Sequence, residues 1–297
     1  MPVSARRRSL VVAALATPFA GVHMSADASN QKKISVNADL AKLEASARGR
    51  LGVAAIDTGN GMRVQYRADE RFPFFSTFKT IVAAAILKQS ESDHGLLDKR
   101  LHYSKDDITQ SGYAPVTQKH IAAGMTIAEL CAATLQYSDN AAANFLMKEL
   151  GGPAAVTAYA RTIGDDTFHL ERWEPDLNSA IPGDTRDTTT PAAMEQSLQR
   201  LALGNALAAT QRAQLVAWLQ GNTTGGKRML AGVPTGWIVG DKTGTGSYGT
   251  TNDAGVLWPA HRAPIVAVVY FTQNDKAAAP RDDVIAAATR LVVGAFN

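Results

Sequence analysis

Phe74-Phe75-Ser76-Thr77-Phe78-Lys79-Thr80-Ile81-Val82-Ala83-Ala84-Ala85-Ile86-Leu87 runs fourteen residues with hardly a solvent-facing position. The pattern predicts a helix over 77–90. A helix that is hydrophobic all round has no wet face, so this one belongs at the centre of the molecule. The segments on either side of it are of a different kind. Upstream, 36–47 has helical periodicity, and 51–57 and 62–67 are β-rich runs joined by Thr58-Gly59-Asn60-Gly61, strong hairpin chemistry. Downstream, 126–135 and 140–150 read as helices, the second stopped by Gly151-Gly152-Pro153, and 154–163 starts a third. Residues 172–187 form an irregular polar loop punctuated by Pro175, Pro182 and Gly183, after which Thr190-Pro191 opens a further helix and 210–220 makes another. Strand patterns return at 236–245, 249–258 and 264–272, and 282–293 closes with an amphipathic helix.

Strands, then helices, then strands, then a helix make a discontinuous arrangement. The expectation is an α/β fold of the α+β kind: one five-stranded antiparallel sheet, flanked by helices and built from both chain ends, with an all-helical insertion. The expected sheet domain takes 29–75 and 221–297. The helical domain takes 76–220, including the 172–187 loop. The cleft between them is the natural place for a small-molecule site.

Three short strings bring chemistry to that cleft: Ser76-Thr77-Phe78-Lys79, Ser138-Asp139-Asn140 and Lys242-Thr243-Gly244. S-x-x-K alone is weak, and Ser29-Asn30-Gln31-Lys32 is a second match in this chain. The ordered set carries the signal. A serine hydroxyl needs a nearby base to become a nucleophile. Residues three apart on a helix share a face, so Ser76 and Lys79 project together. Apolar surroundings push a lysine towards its neutral, proton-accepting form. Ser138, read alone, is equally an N-cap or turn serine.

A fourth element, Arg172-Trp173-Glu174-Pro175-Asp176-Leu177-Asn178, lies between the second and third strings. With it, the chain from about Leu40 to its C-terminus resembles the class A serine β-lactamases in motif order and spacing. The resemblance implies hydrolysis of the β-lactam amide bond through a Ser76 acyl-enzyme, and hence antibiotic resistance. In it Ser138 relays a proton to the departing nitrogen, and Asn140 holds Lys79 and the substrate's acylamino carbonyl. Asp139 supports the turn. The Ser76 and Thr245 N–H groups form the oxyanion hole. Lys242, Thr243, Thr245 and Arg228 make the binding wall for the substrate carboxylate, and Gly244 and Gly246 let the substrate backbone approach closely. Arg172 and Asp187 pair across the base of the loop, and Glu174-Pro175 is a candidate cis peptide. Glu174 with Asn178 fits the base and water-holder that deacylation needs. That loop separates this reading from two alternatives sharing the other motifs: a D-alanyl-D-alanine carboxypeptidase-like penicillin-binding protein, and a penicillin-sensing receptor domain. The chain departs from the family at Phe75, where a smaller residue is common, and at Ser247, where an acidic residue often stands. Neither Phe75 nor Gly246 is the cysteine that some relatives pair there.

Composition narrows the rest. The 45% apolar and 19% charged content is that of an ordinary globular protein, and a net charge of +3 offers no basic stripe for nucleic acid. One cysteine, Cys131 in an apolar helical run, excludes an intrachain disulfide and reads as a buried small hydrophobe. Six histidines without metal-ligand spacing leave no zinc site, so no metal or cofactor is expected. Residues 1–28 read as a cleaved signal: Arg6-Arg7-Arg8, an apolar stretch from Leu10 to Ala20, then Ala26-Asp27-Ala28. The general secretory and twin-arginine routes are both open. The expected mature protein is a periplasmic monomer with no membrane anchor, acting on a β-lactam and a catalytic water.

Overall fold

The computed structural model describes Met1 and residues 35–297; the leader expected over 1–28 lies, Met1 apart, outside the described residues. Helix α1 covers 35–47. Strands β1 (Gly49–Asp57) and β2 (Arg63–Tyr66) form the hairpin read from the sequence. Its turn closes through Gly61 N to Asp57 O at 2.8 Å and Asp57 N to Met62 O at 2.9 Å, and Gly61 supplies the required positive φ of 73°. β7 (Ile238–Gly246), β8 (Thr250–Trp258) and β9 (Ile265–Gln273) come from the other chain end. They complete an antiparallel five-stranded sheet of order β2-β1-β9-β8-β7. The register of β1 on β9 runs from Gly49 opposite Gln273 to Asp57 opposite Ile265.

Both faces of this sheet are covered, and the period of two along β9 shows how. Val266, Val268 and Tyr270 join the core shared with the helices, whereas Ile265, Ala267, Val269 and Phe271 join a second core with Val36, Leu40, Val284 and Val292. The second core lies against α1 and the C-terminal helix α10 (Asp282–Phe296). Full burial of each such side chain contributes about 1.5–3 kcal/mol, which fixes the register: a one-residue slip would exchange the two faces.

The apolar run becomes α2 (Lys79–Ser90), with every residue from Lys79 to Leu87 buried. The sequence pattern placed Thr77 and Phe78 in the same α-helix; they belong instead to a 3₁₀ turn, Phe75–Phe78. Between α2 and the next long helix lie two pieces the sequence reading did not contain. The strands β4 (Arg100–Leu101) and β5 (Met125–Thr126) pair, and α3 (Lys105–Ser111) is nucleated by a Ser104–Asp107 capping box. Around α2 stand α4 (Ile127–Gln136), α5 (Asn140–Leu150), α6 (Pro153–Thr162) and α8 (Ala209–Gln220); α7 (Pro191–Leu198) lies against the sheet. A short α9 (Met229–Gly232) leads back to β7. The bridge of β3 (Phe72–Pro73) with β6 (Thr188–Thr189) joins the segment before Ser76 to the end of the polar loop.

Candidate active site

The turn carrying Ser76 is held by strands distant in sequence. Asn252 Nδ2 donates to Pro73 O at 2.8 Å and Phe74 O at 3.1 Å. Thr77 Oγ1 donates to Phe74 O at 2.8 Å and lies 2.9 Å from Tyr270 Oη. Ser76 lies in that 3₁₀ turn and Lys79 opens α2 directly after it. Phe75 has φ +47° and Ser138 +58°. Left-handed backbone at non-glycine residues costs of the order of 1–3 kcal/mol and gathers at functional sites.

Lys79 is fully buried and has three kinds of partner. Its Nζ donates to Asn140 Oδ1 at 2.6 Å and Ser138 O at 2.8 Å, and lies 3.5 Å from Ser138 Oγ. Glu174 Oε1 is 3.2 Å away, in ion-pair contact, and both side chains are fully buried. Burial pushes Lys79 below the ordinary lysine value, while the carboxylates of Glu174 and Asp139 pull the other way. Asn140 opens α5, where the buried Asp139 is the N-cap. Asp139 accepts from Ala142 N, Val116 N, Thr117 N and Thr117 Oγ1, all within 3.1 Å, so it braces two chain segments at the floor of the site.

Lys242, read from its motif as part of a cationic wall, lies on strand β7. It is fully buried, donating to Ser138 Oγ at 3.1 Å and to Thr243 O at 2.9 Å. Burial, aided by the charge of Lys79, pushes it down to about 7, against the pull of Asp241 and Asp253. Ser138 therefore sits between the two lysines. Arg228 is buried as well. Its Nε meets Asp282 at 2.7 Å, Nη1 donates to the carbonyls of Gly244 and Asn252, and Nη2 donates to Thr245 Oγ1 at 2.6 Å. Every guanidinium nitrogen is engaged.

The polar loop folds on itself. Arg172 Nε pairs with Asp187 Oδ2 at 2.5 Å and Nη1 donates to Ser179 Oγ at 2.9 Å. The Glu174-Pro175 peptide is cis. Asn144 clamps the backbone of Glu174 from α5, accepting from its N–H at 3.0 Å and donating to its carbonyl at 2.9 Å. Asn178 Nδ2 donates to Glu174 Oε2, while Oε1 faces the Lys79 ammonium at 3.2 Å.

Ser76, Ser138, Asn140, Asn178, Arg228, Thr243 and Thr245 line one cleft of about 320 Å³, together with Tyr113 and Thr224. Lys79, Glu174 and Lys242 lie buried around it. Sequence reasoning missed Tyr113, Thr224 (2.5 Å from Thr243 Oγ1), Asn144, Asn252 and the Asp241–Asp253 carboxyl pair. Burial raises both carboxyls of that pair above the ordinary range, Asp253 the more strongly because Asp241 stands beside it. Of these, only the acid next to the Lys-Thr-Gly string offered any signal. Cys131 is buried and its thiol is pushed up by desolvation. No group of three or more His, Cys, Asp or Glu among the described residues is placed to hold a metal ion.

Comparison with known proteins bears on the family and the fold. The model of the β-lactamase enzyme family matches residues 35–296. The chain is 54% identical to the β-lactamase Toho-1 of Escherichia coli over 297 residues, all of both chains. It is 56% identical to the β-lactamase CTX-M-8 of Citrobacter amalonaticus over 261 residues, 88% of this chain and 89% of that one. A crystal structure of a β-lactamase from Desulfarculus baarsii superposes with a TM-score of 0.88 at 54% identity, covering 89% of this chain and 98% of that one. The resemblance read from the four motifs is borne out: the chain belongs to the β-lactamase enzyme family, in its class A.

Proposed function

We propose that this enzyme opens β-lactams by acylating Ser76 and deacylating through Glu174. The observation that carries the reading is the buried Lys79, which touches Asn140, Ser138 and Glu174 at once. Ser76 Oγ attacks the lactam carbonyl and its proton passes into the Lys79–Glu174 pair. The tetrahedral oxyanion is held by the N–H groups of Ser76 and Thr245. The C–N bond then breaks as Ser138 Oγ gives its proton to the nitrogen and takes back, from Lys79 3.5 Å away, the proton that left Ser76, while Lys242, 3.1 Å from that oxygen, holds the hydroxyl in place. In the second half a water held by Asn178 and Glu174 loses a proton to Glu174 and attacks the ester, and Ser76 recovers its hydrogen. In this reading the proton goes to Glu174 Oε1, whose buried partner is Lys79 at 3.2 Å. The carboxylate of the substrate is met by Thr243 and Thr245, backed by Lys242 and Arg228.

The sheet body (29–75 and 221–297) and the helical body (76–220) are the two walls of the cleft in this reading. Export to the periplasm is inferred from the basic, apolar and Ala26-Asp27-Ala28 segments. No helix among the described residues is long and apolar enough to cross a membrane. The test is intact-mass spectrometry with a slowly released β-lactam. Wild type should gain one acyl adduct, mapped to Ser76, and Ser76→Ala should gain none and turn over nothing. An adduct on Ser138 or Ser29 would overturn the assignment.

A further inference from the structure

Phe75 is fully buried, yet it stands outside the hydrophobic clusters that hold its neighbours Phe74 and Phe78. None of the ring pairs among the described residues includes it. Its φ of +47° is a rare backbone state for a bulky side chain. What its ring meets is strand β7. A Cβ built on Gly246 would fall 1.6 Å from ring Cε1 and 2.4 Å from Cδ1 and Cζ, the closest such approach at any glycine of the described residues. One built on Gly244 would fall 3.0 Å from Phe75 Cβ. Gly246 does not have the positive φ that would itself demand glycine. The ring alone excludes a side chain there.

We propose that Phe75 is a positioning residue: its ring, seated on the bare face of Gly246, spaces the nucleophile turn from β7 and so sets the separation of the two oxyanion donors. This rests on the assignment of the Ser76 and Thr245 N–H groups to that role. Phe75 precedes Ser76 by one residue, and Gly246 follows Thr245 by one. The contact is therefore adjacent to a donor on each side, and a shift at either end moves that donor. Carbon atoms prefer separations of about 3.5–4.0 Å. Accommodating a Cβ now 1.6 Å from the ring requires a movement of about 2 Å shared between turn and strand. Oxyanion donors work only at about 2.7–3.1 Å, and a misplacement of about 1 Å can cost a hundredfold in rate. The bare face of Gly246 and the ring of Phe75 are thus one unit, which neither residue can leave alone.

The experiment is a double-mutant cycle read by stopped-flow acylation with a chromogenic cephalosporin. Gly246→Ala should lower the acylation rate constant about a hundredfold and leave the non-covalent dissociation constant within about threefold. Phe75→Ala/Gly246→Ala should recover to within about tenfold of Phe75→Ala. Thermal denaturation accompanies each variant, and Phe75→Val/Gly246→Ala takes over the recovery arm if the alanine pair does not fold. A loss below tenfold in Gly246→Ala, or no recovery in the double variant, would overturn the proposal. So would a lowered melting temperature with an unchanged acylation rate, the mark of a merely structural contact. Failure of the underlying reading is separate: it would show as turnover surviving in Ser76→Ala, whatever the pair does.

Discussion

Lys242→Met should stabilise the folded enzyme at pH 6 and lose that advantage as the pH rises. Lys242 is fully buried and its value falls from 10.5 to about 7 on folding. Below pH 7 it is charged in both states, and the folded state carries the whole burden of burying it. That burden is about 5 kcal/mol, at about 1.36 kcal/mol per unit. Between pH 7 and 10.5 the unfolded chain binds the proton and the folded one does not, so wild-type stability rises with pH by about 1.4 kcal/mol per unit. Methionine removes the charge but also the hydrogen bonds Lys242 gives to Ser138 Oγ and Thr243 O, a loss of about 1–3 kcal/mol. Lys242→Met should therefore gain about 2–4 kcal/mol at pH 6, and this gain should shrink by about 2–3 kcal/mol between pH 7 and 9. Urea unfolding of both proteins across that range reads the difference, in which unrelated titrations cancel. The variant should at the same time lose most of its kcat/KM for a carboxylate-bearing β-lactam, because no cation then backs Thr243 and Ser138. A stability difference that is flat with pH would refute the desolvation argument.

Asp139→Asn should unfold at markedly lower urea, by about 3–5 kcal/mol, since one buried carboxylate now satisfies Val116 N, Thr117 N, Thr117 Oγ1 and Ala142 N. Chemical denaturation checks it, and a change under about 1 kcal/mol would show the network to be replaceable. N-terminal sequencing of exported protein should begin near Ser29, and a start at Met1 would refute processing.

Much of this architecture was legible because its causes are local. Ile81 to Leu87 leave a helix no solvent face, Thr58-Gly59-Asn60-Gly61 permits little except a tight hairpin, and the β-rich run Ile265-Val266-Ala267-Val268-Val269 reads as a strand. What was not legible depends on partners far away in the chain. The 3₁₀ turn at Ser76 follows from Asn252 and Tyr270 gripping Phe74 and Thr77. The burial of Lys242 against Ser138 follows from the register of β7 on β8 and from where α5 begins, and no motif encodes either. Arg228 read as part of the carboxylate-binding wall, and only the fold showed Asp282, two carbonyls and Thr245 engaging its three guanidinium nitrogens. Helix α3, by contrast, was within reach: Ser104-Lys105-Asp106-Asp107 is a capping signature that the polar surroundings obscured.

Deacylation by Glu174 is the step on which the account as a whole rests, and time-resolved intact-mass spectrometry of Glu174→Ala with a penicillin reads it directly. Glu174 Oε1 is buried 3.2 Å from Lys79, and Asn178 holds the other oxygen. Without that carboxylate Ser76 should still be acylated, but no base remains to activate the water. A burst of about one product per enzyme should be followed by near-zero turnover, with the acyl adduct persisting on Ser76. Asn178→Ala should show a weaker form of the same accumulation. Steady-state turnover at the wild-type rate in Glu174→Ala, with no adduct accumulating, would contradict the mechanism and leave the loop a purely structural role.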